Sequence, residues 1–417
     1  PVLQNLGRRP VFFDGAMGTT LQQNGLAAGE LPETWNLSHP ELIRSIHRDY
    51  LNAGCEILKT NTFGANRLKF PEEQLEAIIA AAVSHAREAV SQCGHPALVA
   101  MDIGPTGKLL KPMGDLDFEE AVSAFGQAAA LGEKNGADLI LIETMSDTLE
   151  AKAAVLGAKE HTSLPVFVTM IFDETGKLLT GGDIPAAVAM LEGLGADAIG
   201  LNCGLGPNQM LGLLPKLAEC ASVPVIVNPN AGLPRRENGQ TVYDVGPEEF
   251  AGLMAEIVQG GAWIIGGCCG TTPAHLRETV SRCQRLSPLP LEPKNRTVVS
   301  SYAKAVAFGE KPVIIGERIN PTGKKRFKQA LREHDMDYIL REGVTQQQNG
   351  AHVLDVNVGL PEIDEKALMC QAVTQLQGIS DLPLQIDTSS PEVMEAALRL
   401  YNGKALVNSV NGKEESM

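Results

Sequence analysis

Eight short apolar runs, each followed by a stretch with helical spacing, constrain the fold of this chain more than any other feature. They are Val11–Asp14, Glu56–Asn61, Leu98–Asp102, Leu139–Glu143, Val166–Met170, Ala198–Cys203, Val225–Asn230 and Trp263–Cys269. Ala-rich segments such as Glu76–Val90 and Glu120–Lys134 lie between them and repeat apolar residues at helical spacing. Strand and helix alternating eight times predict an α/β fold, a (β/α)8 barrel over residues 1–290.

Most of these runs end on a polar or metal-binding residue: Asp14, Asn61, Asp102, Glu143, Cys203, Asn230 and Cys268. Barrels of this kind carry their active sites at the C-terminal ends of the strands. Any one of these residues alone could equally be a helix cap or a corner residue. The collective pattern favours a site.

Three cysteines sharpen it. Cys203 lies in Gly200-Leu201-Asn202-Cys203-Gly204, and Cys268 and Cys269 in Gly266-Gly267-Cys268-Cys269-Gly270. Three converging thiolates form a soft tetrahedral site with an open corner, suited to Zn²⁺ whose fourth ligand is a sulfur substrate. Adjacent strand residues point to opposite faces, so the pair can share a metal only where the backbone bends, and the flanking glycines permit the bend. The alternatives are a redox disulfide, strained if vicinal, or cysteines used as small apolar residues. Cys55, Cys93, Cys220, Cys283 and Cys370 read as the latter.

The chain has 417 residues, 44% of them hydrophobic, and a net charge of −15. With no basic block or stripe, nucleic acid and anionic membranes are not expected partners. Eight cysteines are too sparse for a disulfide scaffold and fit a reducing cytoplasm. Neither a signal-peptide pattern nor an apolar stretch long enough to span a bilayer is present. The chain opens on Pro1, as at a processing boundary.

After Cys283, three prolines between Pro288 and Pro293 predict a stiff, extended linker, taken as residues 291–311. Strand-like runs restart at Val313–Glu317, Val353–Asn357, Leu384–Asp387 and Ala405–Asn408, again with polar ends. Residues 312–417 are thus expected to be the first part of a second β/α barrel, cut off at Met417. Four strands leave an open edge, so either the domain is incomplete here or its missing half comes from elsewhere.

The motifs resemble those of a known family. Asp14-Gly15-Ala16-Met17-Gly18-Thr19-Thr20, Thr60-Asn61-Thr62-Phe63-Gly64-Ala65, Asp102-Ile103-Gly104-Pro105-Thr106-Gly107, Asn202-Cys203 and Gly266–Thr272 are similar to the zinc-dependent homocysteine S-methyltransferases. Gly316-Glu317-Arg318-Ile319-Asn320-Pro321-Thr322-Gly323, Leu354–Gly359, Ile386-Asp387 and Asn408-Ser409 resemble a pterin-binding methyltransferase domain. That order of modules is similar to the cobalamin-dependent methionine synthase family, in which a corrinoid-binding region follows.

The resemblance implies that Cys203, Cys268 and Cys269 ligate Zn²⁺ and activate homocysteine as a thiolate for methyl transfer. It implies that Asp14 and Glu143 receive the substrate ammonium, and that the Gly15, Ala16, Gly18 and Thr19 turn offers N–H groups to its carboxylate. Asn230 is a candidate for zinc's fourth position before substrate binds. Asp387 and Asn408, with Asn320, Asp355 and Asn357 behind them, are the expected contacts to the pterin of methyltetrahydrofolate. Cobalamin would be held by a region outside this chain, so a corrinoid-binding domain or protein is an expected partner. His275, near the cysteines, reads as a surface residue of a helix. A homocysteine methyltransferase using betaine or S-methylmethionine is the alternative enzyme, and a structural zinc or redox scaffold the alternative without catalysis.

Overall fold

A computed structural model describes residues 2–237, 240–309 and 311–414. Met417 lies outside the described residues. The chain divides into two compact units, Pro1–Leu179 with Leu194–Lys294, and Thr180–Gly193 with Asn295–Met417.

In the first unit, the eight apolar runs become strands β1 (Val11–Phe12), β2 (Ile57–Lys59), β3 (Leu98–Ile103), β4 (Leu139–Met145), β5 (Val166–Met170), β6 (Ala198–Asn202), β7 (Val225–Asn228) and β10 (Ala262–Ile265). A short hairpin, β8 (Arg235–Glu237) and β9 (Gln240–Val242), interrupts the series. The eight strands are parallel in the order β1-β10-β7-β6-β5-β4-β3-β2. A bridge between Phe13 and Ile57 joins the two ends, so the expected eight-stranded barrel is closed.

The core explains the sequence. Val11, Phe13, Ile57, Ala100, Leu139, Leu141, Phe167, Ala198, Ile226 and Ile264 pack together inside the barrel. Strands covered on both faces read as near-continuous apolar runs, which is why periodicity exposed them. Gly200 of β6 lies opposite Ile226 of β7, and a methyl there would run into the Ile226 carbonyl oxygen. Helices such as Glu72–Ser91 and Phe118–Lys134 bury one apolar face each.

The second unit holds a parallel sheet in the order β13 (Ile315–Ile319), β14 (Val353–Val356), β15 (Leu384–Asp387) and β16 (Leu406–Asn408). Its core comprises residues such as Ile319, Leu354, Val356, Leu376, Ile386 and Tyr401. Within the segment read as an extended linker, β11 (Val298–Ser300) and β12 (Ala305–Ala307) pair as an antiparallel hairpin. Val298, Val299 and Val306 favour that extended pairing, while the prolines before them lie outside any strand. The helix Ile184–Gly193, apolar nearly all round, packs on this hairpin and belongs to the same unit.

Candidate functional site

Cys203 follows β6 with φ of 54°, an uncommon left-handed conformation for a non-glycine residue, and Gly204 continues it at 70°. This reversal turns the thiol towards the segment after β10. Cys268 and Cys269 follow Gly266 and Gly267, and Gly270 at φ of 79° ends that bend. A side chain at Gly266 would press on Phe13 and Asn228, and one at Gly267 on Thr271. The glycines are thus demanded by close packing as well as by the turn.

The three sulfurs lie within 4.8 Å of one another. Cys203 and Cys269 are 3.8 Å apart, and all eight cysteines are free thiols. A disulfide requires about 2.05 Å. Zn–S bonds of about 2.3 Å in a tetrahedron place sulfurs about 3.8 Å apart. The donor set therefore fits a soft tetrahedral metal. Hydrogen bonding with Cys268 and then Cys269 pushes the Cys203 thiol up, and hydrogen bonding with Cys203 and then Cys268 holds the Cys269 thiol low.

The sulfurs border a cavity of about 360 Å³ whose wall also includes Met17, Thr19, Lys59, Phe63, Asp102 and Glu143. Ala16 and Gly18 line it too. Asp14 stands behind Lys59. Its Oδ2 accepts the Lys59 backbone N–H at 3.0 Å, so it is not a helix cap. Lys59 Nζ lies 3.9 Å from Asp14 Oδ1, 3.7 Å from Glu143 Oε2 and 3.3 Å from the Gly267 carbonyl.

All of these groups are buried; Asp14 is 2%, Lys59 6%, Asp102 5% and Glu143 6% exposed. Burial, partly offset by Lys59, pushes the Asp14 carboxyl up to about 7. Burial also raises Asp102 and Glu143. Burial alone would lower Lys59, but Glu143 and then Asp14 outweigh it and hold the ammonium charged.

The loop after β1 is pinned on both sides. Tyr50 donates to the Ala16 carbonyl at 2.9 Å, and the Ala16 N–H donates to Thr271 Oγ1 at 3.2 Å. Gly15 has no room for a side chain against Thr271 and Tyr50. Asn230 is buried, and its Oδ1 has no hydrogen-bond partner among the described residues. His275 departs from expectation. It is buried, closes a capping box with Thr272, and its Nε2 bonds the Val245 carbonyl at 2.9 Å. Its bond to Val245 and its edge-on packing against the Phe250 ring hold it away from solvent.

Sequence reasoning gave no role to Lys59, Asn202 or Tyr243. Asn202 bonds the Thr144 N–H and hydroxyl at 2.9 and 2.7 Å and reaches Cys268 Sγ at 3.9 Å. Tyr243 packs on Gly270 and hydrogen-bonds Cys269. The available signal for Lys59 was a charge inside a strand otherwise read as core.

In the second unit the candidate residues gather at the C-terminal ends of β13–β16. Asn357 donates to Asp387 Oδ2 at 3.1 Å, and Asp387 pairs in register with Asn408. Asp355 accepts from Gln385, and burial first of all pushes its carboxyl up to about 6, with Gln385 and Asn320 opposing.

A closed barrel with a thiol triad beside a buried acid–lysine cluster defines a class of thiol-handling (β/α)8 enzymes. Residues 11–283 match the homocysteine S-methyltransferase family, and the chain belongs to that methyltransferase family. Residues 316–417 match the pterin binding enzymes. Methionine synthases of Mycobacterium leprae and Mycobacterium tuberculosis are each 34% identical over 98% of this chain. The chain spans 36% of the length of these relatives. The metallated homocysteine methyltransferase MmuM of Escherichia coli is 25% identical, with a TM-score of 0.57 over 68% of this chain and all of that one. Its apo form gives 27% and 0.55, over the same shares of both chains.

Proposed function

We propose that the chain is the homocysteine-activating and pterin-binding part of a cobalamin-dependent methionine synthase. In this reading residues 1–290 bind homocysteine, 291–311 connect, and 312–417 contribute to a methyltetrahydrofolate site. The observation that carries it is three free thiols at metal-ligand spacing lining a cavity whose wall also holds Lys59 and Glu143, with Asp14 behind Lys59.

Cys203, Cys268 and Cys269 would hold Zn²⁺, with the orphaned Asn230 Oδ1 as a candidate fourth donor in the absence of substrate. Bound zinc would supply Lewis acidity that favours a substrate thiolate over the thiol at neutral pH.

The rest falls to the chain. Asp14 and Glu143 receive the substrate ammonium. The loop Gly15–Thr19 offers N–H groups to its carboxylate; because the Ala16 N–H already serves Thr271, the amides of Gly18 and Thr19 carry more of that load. The substrate thiolate would then be open to methyl transfer from a corrinoid carried by a separate domain or protein, the S–CH3 bond forming as the bond between methyl and corrinoid breaks and leaves its electron pair on the corrinoid. Asp387 and Asn408, supported by Asn357, Asp355 and Asn320, offer the acceptor and amide edge that a 2-amino-pyrimidinone ring requires. Among the described residues no helix is long and apolar enough to cross a membrane. A cytoplasmic setting, where thiols stay reduced, suits the triad.

The test mixes zinc-loaded protein with homocysteine and free methylcobalamin and follows loss of the methylcobalamin spectrum. Demethylation that yields methionine and stops on adding a chelator supports the reading. Inactivity despite one bound zinc per chain removes the corrinoid donor from it.

A further inference from the structure

The position of Lys59 is unusual for a salt-bridge lysine. It lies on a barrel strand, almost fully buried, and forms part of the cavity wall. Its Nζ stands between two carboxylates without closing on either. The separations of 3.7 and 3.9 Å exceed the roughly 2.7–2.9 Å of a direct charge-assisted hydrogen bond. Asp14 Oδ1 and Glu143 Oε2 are buried and have no hydrogen-bond partner among the described residues, and Asp102 Oδ1 shares that condition. Lys69, the other cation of the cavity wall, is exposed.

Charge counting gives this arrangement a meaning. Asp14, Asp102 and Glu143 bring three carboxyl groups and Lys59 one ammonium. Two carboxylates alone in such a site would repel each other, and one would take a proton and lose its attraction for a cation. A lysine bonded tightly to both would take up part of their acceptor capacity and of their attraction for a second cation. The observed spacing does neither: it holds the pair together electrostatically and leaves Asp14 Oδ1 and Glu143 Oε2 without a close hydrogen-bond partner among the described residues.

We propose that Lys59 is a positioning and specificity residue for the amino acid end of the substrate. Its ammonium fixes Asp14 and Glu143 as a pair and leaves on them the net negative charge and unused acceptors that a substrate ammonium completes. The site thereby selects α-amino thiols over thiols lacking the amine. The inference rests on the reading of Asp14 and Glu143 as ammonium partners.

The experiment compares L-homocysteine with 4-sulfanylbutanoate, which has the same thiol and carboxylate but no amine. Both are titrated calorimetrically into the zinc-loaded chain, with zinc content and thermal midpoint recorded for each variant. Wild type is expected to prefer homocysteine by about a hundredfold, the scale of two charge-assisted hydrogen bonds. Lys59→Met should weaken homocysteine about thirtyfold and change 4-sulfanylbutanoate by less than about threefold. Lys59→Arg, which keeps the charge, should recover most of the preference. If Lys59→Met does not fold, Lys59→Gln takes its place against Lys59→Arg. Equal losses for both ligands, an unchanged ratio, or tighter homocysteine binding in the neutral variant would each overturn the role of Lys59. Wild type binding both ligands equally, or neither, would instead overturn the underlying reading of the site.

Discussion

The barrel and the four-stranded sheet both collect polar side chains at the C-terminal ends of parallel strands, yet they balance charge in different ways. In the barrel, full charges are buried against each other: Lys59 sits among Asp14, Asp102 and Glu143, beside three thiols. In the sheet, carboxyls meet amides: Asp355 with Gln385 and Asn320, and Asp387 with Asn357. Fixed opposite charges suit a zwitterion and a thiolate, because their fields act strongly where water is scarce. Carboxyl–amide edges suit a neutral heterocycle that offers paired donors and acceptors. The same strand-end position can therefore serve two recognition chemistries, decided by whether a cation is buried with the acids.

The largest effect should come from breaking the thiol triad. Cys203→Ser replaces a soft thiolate by a hard, mostly protonated hydroxyl, so zinc content should fall from one per chain towards zero and methyl transfer should be lost. Pterin binding by the other unit should be unchanged. Metal analysis and pterin titration on one preparation check both halves, and full zinc occupancy in the variant would remove Cys203 from the ligand set.

A pair of glycine substitutions tests how tightly each sheet is built. In Gly200→Ala the new methyl meets the Ile226 carbonyl, a backbone atom that cannot turn away. A loss of roughly 3 kcal/mol or more is expected. Gly316→Ala meets instead the tip of Gln346, whose Oε1 accepts the Arg318 N–H at 2.7 Å. That side chain can move at a cost of its two hydrogen bonds, the second from its Nε2 to the Glu342 carbonyl, about 1–2 kcal/mol in all. Hydrogen exchange at the amides of β6 and β13 reads each locally; equal losses would contradict the contrast.

What was legible in the sequence follows the same division. Strands covered on both faces are continuous apolar runs, so all eight barrel strands could be located from Val11 to Ile265. The cysteines stood out because glycines flank them. Lys59 did not, because its meaning depends on the closure of β1 against β2 and on β4 beyond them, contacts that join Lys59 to Asp14, Glu143 and Gly267 across as many as 208 positions. His275 was misread because a surface helix and a capped, buried first turn share one local sequence. The hairpins β8–β9 and β11–β12 are too short to display periodicity.

Asp387→Asn addresses the heterocycle side of the comparison. It keeps the side chain's shape and its contact with Asn357 but removes the charge that would accept two N–H bonds from a pterin edge. Methyltetrahydrofolate binding should weaken about a hundredfold, since hydrogen bonds to a charged acceptor are worth about 1.5–3 kcal/mol each. Homocysteine binding should stay within about twofold. A loss in both would mean that Asp387 acts on the fold, not on the ligand.

The smallest expected effect asks whether amides suffice to keep a buried carboxylate. Asp355 is raised to about 6, chiefly by burial, against about 3.9 in an unfolded chain. Below pH 4 both states carry the proton and the group is neutral for stability. Between pH 4 and 6 the native state binds more protons than the unfolded one, so stability falls as pH rises and reaches its full penalty above 6. The penalty is of the order of 3 kcal/mol. Asp355→Asn has no proton to lose there. Its local stability relative to wild type should therefore rise by about that amount from pH 4 to pH 7, read by exchange at the β14 amides. A pH-independent difference would mean that Gln385 and Asn320 compensate the charge fully, and that the sheet needs no buried cation because its amides already replace one.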